Sequence, residues 1–169
     1  MVPSSRFLVA KMLKQIPIND AKVIVELGPG TGVFTEKIIQ EMGADTQLIV
    51  IELNDHFFKT LSLKIKHPNV HLKHDSAEQI HQILNDLQLQ KADIIISSLP
   101  LAMFPTDLRL SILNAIRANL QPIGYFVQFQ YSLQAYRLLK KSFKKVQLDF
   151  TPLNFPPAFI YTCRFGEEE

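Results

Sequence analysis

The chain has 169 residues, 47% of them hydrophobic and 20% charged, a balance that fits a compact globule and excludes a disordered or fibrous chain. Eighteen Lys and Arg against sixteen Asp and Glu leave a net charge of +2, too small to mark a nucleic-acid binder by charge. The one cysteine, Cys163, excludes an internal disulfide; no apolar run approaches the ~20 residues of a membrane span, and the N-terminus lacks the order of a signal peptide. A single cytoplasmic domain spanning 1–169 is the expectation.

In chain order, residues 4–16 read as an amphipathic helix, with Leu8, Val9, Met12, Leu13 and Ile16 apolar and Arg6, Lys11 and Lys14 basic. Residues 1–20 are therefore expected to form a lid over a bound ligand or a helix lying on an anionic membrane. Val23–Leu27 is the first predicted strand, Leu48–Glu52 the second and Val70–His74 the third. Ala92–Ser97, Tyr125–Gln130, Lys145–Phe150 and Ala158–Phe165 follow. The first, second and fourth are nearly continuous apolar runs, as in strands covered on both faces. Between strands, apolar residues recur three and four apart, as in Phe34, Ile38 and Met42, in Phe57, Phe58, Leu61 and Ile65, and in Tyr136, Leu139 and Phe143. These stripes read as core-facing helices. The alternation predicts an α/β fold, a doubly wound Rossmann-like sheet of seven strands with helices on both faces. No helical pattern separates the last two strands, so the sheet is expected to be mostly parallel with an antiparallel edge strand.

In such a sheet, ligands bind beyond the carboxyl ends of the strands. Directly after the first strand comes Glu26-Leu27-Gly28-Pro29-Gly30-Thr31-Gly32, leading into a helix. The dinucleotide fingerprint is not met: Val33 stands where its third glycine belongs, and Pro29 removes an N–H from a loop meant to cradle a pyrophosphate. Glu26 at the strand end repels phosphate and attracts an ammonium group, which favours S-adenosylmethionine over NAD or FAD. Glu52 can accept hydrogen bonds from both ribose hydroxyls, or stand as a solvated strand-end carboxylate. Asp75, followed by Ser76 and Ala77, can reach an adenine amino group or cap the next helix.

Val-Glu-Leu-Gly-Pro-Gly-Thr-Gly at 25–32 and Ile-Glu-Leu-Asn at 51–54 together resemble the glycine-loop and ribose motifs of class I S-adenosylmethionine-dependent methyltransferases. The resemblance covers essentially the whole chain. It implies S-adenosylmethionine as cofactor, bound by Glu26, Gly28, Gly30, Thr31, Gly32, Glu52, Leu53, Asp75, Ser76, Ala77 and Ser97. Two subfamilies share this wording, the ribosomal RNA adenine dimethyltransferases and the soluble bacterial phospholipid N-methyltransferases. Pro3-Ser4-Ser5-Arg6-Phe7-Leu8, Ser97-Ser98-Leu99-Pro100-Leu101, Gln128-Phe129-Gln130-Tyr131 and Asn154-Phe155-Pro156-Pro157-Ala158 resemble the second.

The adenine enzymes show Asn-Leu-Pro-Tyr after the fourth strand, whose ring stacks on the target base. Here Ser98-Leu99-Pro100-Leu101 offers no ring, and the chain ends without their C-terminal helical RNA domain. Phospholipid members carry a further helical segment ahead of the Pro-Ser-Ser motif. This chain begins almost at that motif, which implies either a naturally short protein or a lipid-facing part that is reduced or lost. The resemblance implies methylation of the phosphatidylethanolamine amine at a membrane surface, with a phospholipid rather than a nucleic acid as partner. Ser98, Leu99, Pro100 and Tyr131 are the candidates for orienting that amine, Pro100 by fixing the turn that aims the carbonyls around Ser97 and Ser98. An RNA adenine methyltransferase, a small-molecule methyltransferase and a cofactor-binding domain without turnover are the alternatives. Lys140, Lys141, Lys144 and Lys145 around Phe143 form a basic cluster that meets an anionic surface or is a solvated helix end. The loop Leu101-Ala102-Met103-Phe104 either admits a lipid or belongs to the core.

Overall fold

The structure is a computed structural model that describes residues 6–152 and 157–166. Pro3, Ser4 and Ser5 of the first motif and Asn154, Phe155 and Pro156 of the last lie outside the described residues. The chain runs α1 (Arg6–Leu13), β1 (Val23–Leu27), α2 (Val33–Glu41), β2 (Gln47–Ile51), α3 (Asp55–Lys64), β3 (Val70–Lys73), α4 (Ile80–Asp86) and β4 (Ala92–Ser97). It continues with α5 (Thr106–Asn119), β5 (Leu120–Gln130), α6 (Tyr136–Ser142), β6 (Lys145–Thr151) and β7 (Ala158–Arg164). Single 3₁₀ turns at Ala77–Gln79, Leu101–Met103 and Leu133–Ala135 precede α4, α5 and α6. Among the described residues no helix is long and apolar enough to cross a membrane.

The seven strands form one sheet in the order β3-β2-β1-β4-β5-β7-β6. All five residues of β1 are buried, because α1 and α2 pack on one face of the sheet and α4, α5 and α6 on the other. The parallel register sets Lys73, Ile51, Leu27, Ser97 and Gln128 side by side across five strands. The loops beyond that row meet where the strand order reverses, between β1 and β4.

The strand expected to run antiparallel is β7, which pairs with both β5 and β6 and so lies one place in from the rim. Burial explains the order. β7 (Ala-Phe-Ile-Tyr-Thr-Cys-Arg) is nearly all buried, whereas β6 (Lys-Val-Gln-Leu-Asp-Phe-Thr) alternates toward solvent and takes the edge. β5 starts at Leu120 rather than Tyr125: its ladder with β4 jumps between the Ala92–Leu120 and Ile94–Tyr125 pairs, and that irregularity accommodates Pro122. On α3 only Leu61 is fully buried, and Phe57 and Phe58 are half exposed because this helix lies beside the β3 edge. An ion pair between Lys64 and Glu36 ties it to α2.

The apolar face of the N-terminal segment is spent inside the molecule. Val9, Met12, Leu13 and Ile16 are buried with Phe34, Ile38, Phe129 and Ile160, which corrects the reading of this stripe as a membrane-facing surface. Lys11 Nζ donates to the Phe150 carbonyl at 2.7 Å, Gln15 Nε2 to Asp149 at 2.9 Å, and Thr162 Oγ1 to Gln15 Oε1 at 2.8 Å. Met12→Ala is expected to cost about 2–5 kcal/mol in a denaturant melt, the range for a large side chain deleted from a core. A loss within about 0.5 kcal/mol would mark a surface helix instead.

Candidate active site

The loop after β1 turns with Gly28, Gly30 and Gly32 at φ of 68°, 57° and 86°. At Gly28 a Cβ would stand 2.7 Å from Leu99 Cδ2, and at Gly32 one would stand 2.6 Å from Leu61 Cδ2. Side chains at these two positions would suffer both the backbone strain and the collision.

Glu52, just after β2, is buried and so is not the solvated strand-end carboxylate that its position also allows. Its Oε2 accepts the Gly30 N–H at 3.1 Å and its Oε1 the Asn54 N–H at 2.7 Å. The carboxylate thus pins the glycine loop to the end of β2, and keeps lone pairs for further donors such as ribose hydroxyls.

Glu26, inside β1, is 1% exposed. Its Oε2 accepts from Thr35 Oγ1 at 2.6 Å, and its Oε1 is buried without a partner. Burial pushes its pKa up to about 8; the Thr35 bond works the other way, and the Glu52 charge adds to the rise. The standing anion expected from the sequence is therefore a neutral carboxyl near pH 7. The orphaned oxygen beside the loop suits a cationic group, whose arrival would favour ionisation. This donor set fits S-adenosylmethionine, which carries an ammonium and no phosphate.

At the next strand end, Asp75 Oδ1 accepts the Ser76 N–H at 2.7 Å. Ser76, not Asp75, caps the following turn by accepting from the Glu78 N–H, and Ala77 is buried beneath it. Leu53 is largely exposed, and its carbonyl pairs with His74 Nε2 at 3.1 Å. His74 stacks on Phe58 at 4.6 Å, an arrangement that sequence reasoning missed because Phe58 reads as a core position.

After β4 the chain makes a tight turn. Ser97 Oγ accepts the Leu99 N–H at 3.2 Å, and the Ser98 N–H donates to the Leu27 carbonyl at 3.0 Å. The Leu99 carbonyl accepts from Gln128 Nε2 at 2.8 Å and from Gln130 Nε2 at 3.0 Å. Both of its lone pairs are filled and its side chain sits over Gly28, so Leu99 shapes the turn rather than accepting a substrate proton. The two glutamines sit on one face of β5, and this tie is visible only once β4 and β5 are paired.

A cavity of about 360 Å³ opens between the glycine loop and the ends of β4 and β5. Gly28, Pro29 and Thr31 line one side, Ser98, Pro100 and Met103 a second, and Phe129, Gln130 and Tyr131 a third. Phe34 closes the back, 6.5 Å from Phe129, and Tyr131 meets Phe129 edge-on at 4.8 Å. Phe34 and Thr35 are further site residues that the helical periodicity of α2 concealed. Val9, Met12 and Leu13 of α1 do not line this cavity; they are buried in the same core cluster as Phe34 and Phe129. Glu52, Leu53 and Asp75 lie outside the described lining of this cavity, which is largely apolar.

The description "Ribosomal RNA adenine dimethylase" fits residues 4–119. The chain is 32% identical to an ornithine lipid N-methyltransferase of Singulisphaera acidiphila, over 99% of this chain and 88% of that one. It is 34% identical to ribosomal RNA small subunit methyltransferase A of Dehalococcoides mccartyi, but over only 41% of this chain and 23% of that one. Among solved structures, the N-methyltransferase NodS of Bradyrhizobium japonicum superposes with a TM-score of 0.74 at 12% identity, covering 96% of both chains. A precorrin-6y C5,15-methyltransferase of Geobacter metallireducens superposes with a TM-score of 0.75 at 15% identity, covering 96% of this chain and 89% of that one. At such identities the likeness concerns the fold.

Two outcomes are expected. Glu52→Ala strands the Gly30 and Asn54 N–H groups, lowering stability by about 1–3 kcal/mol and weakening S-adenosylmethionine binding at least about tenfold by calorimetry. Glu26 holds its proton in the folded state up to about pH 8 against 4.5 for its ordinary value. The native state therefore binds more protons between those pH values, and stability without ligand falls as pH rises through that window. Glu26→Gln should abolish that fall, which denaturant midpoints measured across the window will read.

Proposed function

Because this chain belongs to the ribosomal RNA adenine dimethylase family, and is an S-adenosylmethionine-dependent methyltransferase, we propose that it N-methylates the primary amine of a membrane lipid. The observation that carries this reading is the apolar acceptor cavity. Its described lining holds Phe34, Met103, Phe129 and Tyr131 and no carboxylate, histidine, lysine or arginine. Leu101, at the position after Pro100, is fully buried in the core, so no ring stands there to stack on a base. The near full-length relative that methylates a lipid points the same way.

S-adenosylmethionine supplies an already activated methyl group, so the protein's task is placement and exclusion of water. An alkylammonium, with a pKa of about 10, must lose its proton before it can attack. The dry wall formed by Phe34 and Phe129 favours the neutral amine, because a charge is costly to desolvate. The Tyr131 hydroxyl and the Ser98 region, at the mouth of the cavity, orient the amine. Pro100 and the glutamine tie on the Leu99 carbonyl hold the turn that presents Ser98. The released proton leaves to water at the open side.

The test incubates the protein with methyl-labelled S-adenosylmethionine, vesicles containing phosphatidylethanolamine or ornithine lipid, and total RNA. Label is expected in the lipid phase, and chromatography counts the methyl groups. Label confined to RNA, or to neither macromolecular phase, overturns the proposal. Tyr131→Phe is expected to lower kcat by about tenfold, the scale of one lost hydrogen bond, with donor affinity unchanged.

A further inference from the structure

A second cavity, of about 810 Å³, lies at the opposite end of β4 and β5 from the acceptor cavity. Lys91, Arg117, Lys140, Lys141, Lys144 and Arg164 line it, and among the described residues no carboxylate does. Six of the eighteen cations of a nearly neutral chain thus gather in one concavity. Arg164 is held in place: its guanidinium lies over the Tyr125 ring at 4.5 Å, it donates to the Ile123 carbonyl, and its Nε is buried without a partner.

We propose that this cationic cavity and the outer side of α6 are a docking surface for an anionic lipid bilayer. The choice of occupant rests on the reading of the protein as a lipid methyltransferase. Two further observations favour a bilayer over the phosphate backbone of RNA. First, α6 (Tyr-Arg-Leu-Leu-Lys-Lys-Ser) carries three cations and no acid, and joins the two cavities. Ser132 and Gln134, just before it, line the acceptor cavity, while Lys140 and Lys141 line the cationic one. Six residues of helix span roughly 9 Å, so one flat surface laid along α6 reaches the acceptor mouth and the cations together. Second, exposed apolar side chains flank this path: Ile123 at the cationic cavity, 78% exposed, and Met103 and Leu133 near the acceptor mouth, 83% and 51% exposed. A phosphate backbone gains nothing from these, whereas the interfacial zone of a bilayer buries them.

The measurement is vesicle co-sedimentation of the full chain on phosphatidylcholine vesicles with and without phosphatidylglycerol. Binding is expected only with the anionic lipid and is expected to weaken steeply with added salt. Lys140→Gln/Lys141→Gln/Lys144→Gln should reduce it about 100-fold, given the attraction that each cation contributes near an anionic surface. S-adenosylmethionine affinity by calorimetry confirms that this variant is folded; Lys91→Gln/Arg117→Gln, on other elements, serves if it is not. Turnover on lipid dispersed in neutral detergent micelles, which needs no anionic surface, should be unchanged in either variant.

Equal vesicle binding by wild type and variant, or no preference for phosphatidylglycerol, overturns the docking surface while leaving lipid methylation standing. Absent turnover on micelles with intact vesicle binding overturns the methylation reading instead. Retention of homopolymeric RNA in place of vesicles assigns the face to nucleic acid. Three glutamates, Glu167, Glu168 and Glu169, follow Gly166 in the sequence. If vesicles bind only after these are changed to Gln, the chain's own terminus is the occupant and the proposal fails.

Discussion

The carboxylate of Glu52 holds the site together. One oxygen takes the Gly30 N–H and the other the Asn54 N–H, so the loop that leaves β1 and the loop that leaves β2 are tied at a single buried charge. A loop turning through three glycines at positive φ has little stiffness of its own. Without that tie the loop would be free to open, and with it the side of the cavity lined by Gly28, Pro29 and Thr31.

The acceptor side uses the same device with opposite polarity. There a backbone carbonyl, that of Leu99, is gripped by two side-chain amides from β5. In both places a buried side chain on a strand or directly after it orders the loop at the end of the neighbouring strand, so the shape of the site depends on the strand order β2-β1-β4-β5. The apolar lining follows from the same packing. Phe34 and Phe129 belong at once to the core beneath α1 and α2 and to the cavity wall. Placement and desolvation, the two things an activated methyl donor requires of a protein, are thus supplied by elements that also stabilise the fold.

Charge is distributed to match. The acceptor cavity has none among its described lining residues, Glu26 sits neutral behind the loop, and the cations gather at the far end of the strands. On the proposed function, a lipid amine entering this cavity meets no fixed charge among its described lining residues that would hold it as an ammonium.

The sequence by itself determined the sheet and its ligand end. Val23–Leu27 and Ala92–Ser97 are nearly continuous apolar runs whose bounds the structure reproduces. Gly28 and Gly32 hold positive φ, a backbone conformation that side chains strain, so the loop is legible from residue type alone. Only the tertiary structure decided the inward place of β7, the core role of Met12 and Leu13, the proton on Glu26 and the filled lone pairs of the Leu99 carbonyl. Each of these depends on a neighbour distant in sequence. Met12 is buried in one cluster with Phe129, and the Leu99 carbonyl accepts from Gln128 and Gln130. Glu26 is neutral because the layers packed on both sides of β1 remove water from it, and no local pattern records which layers those are.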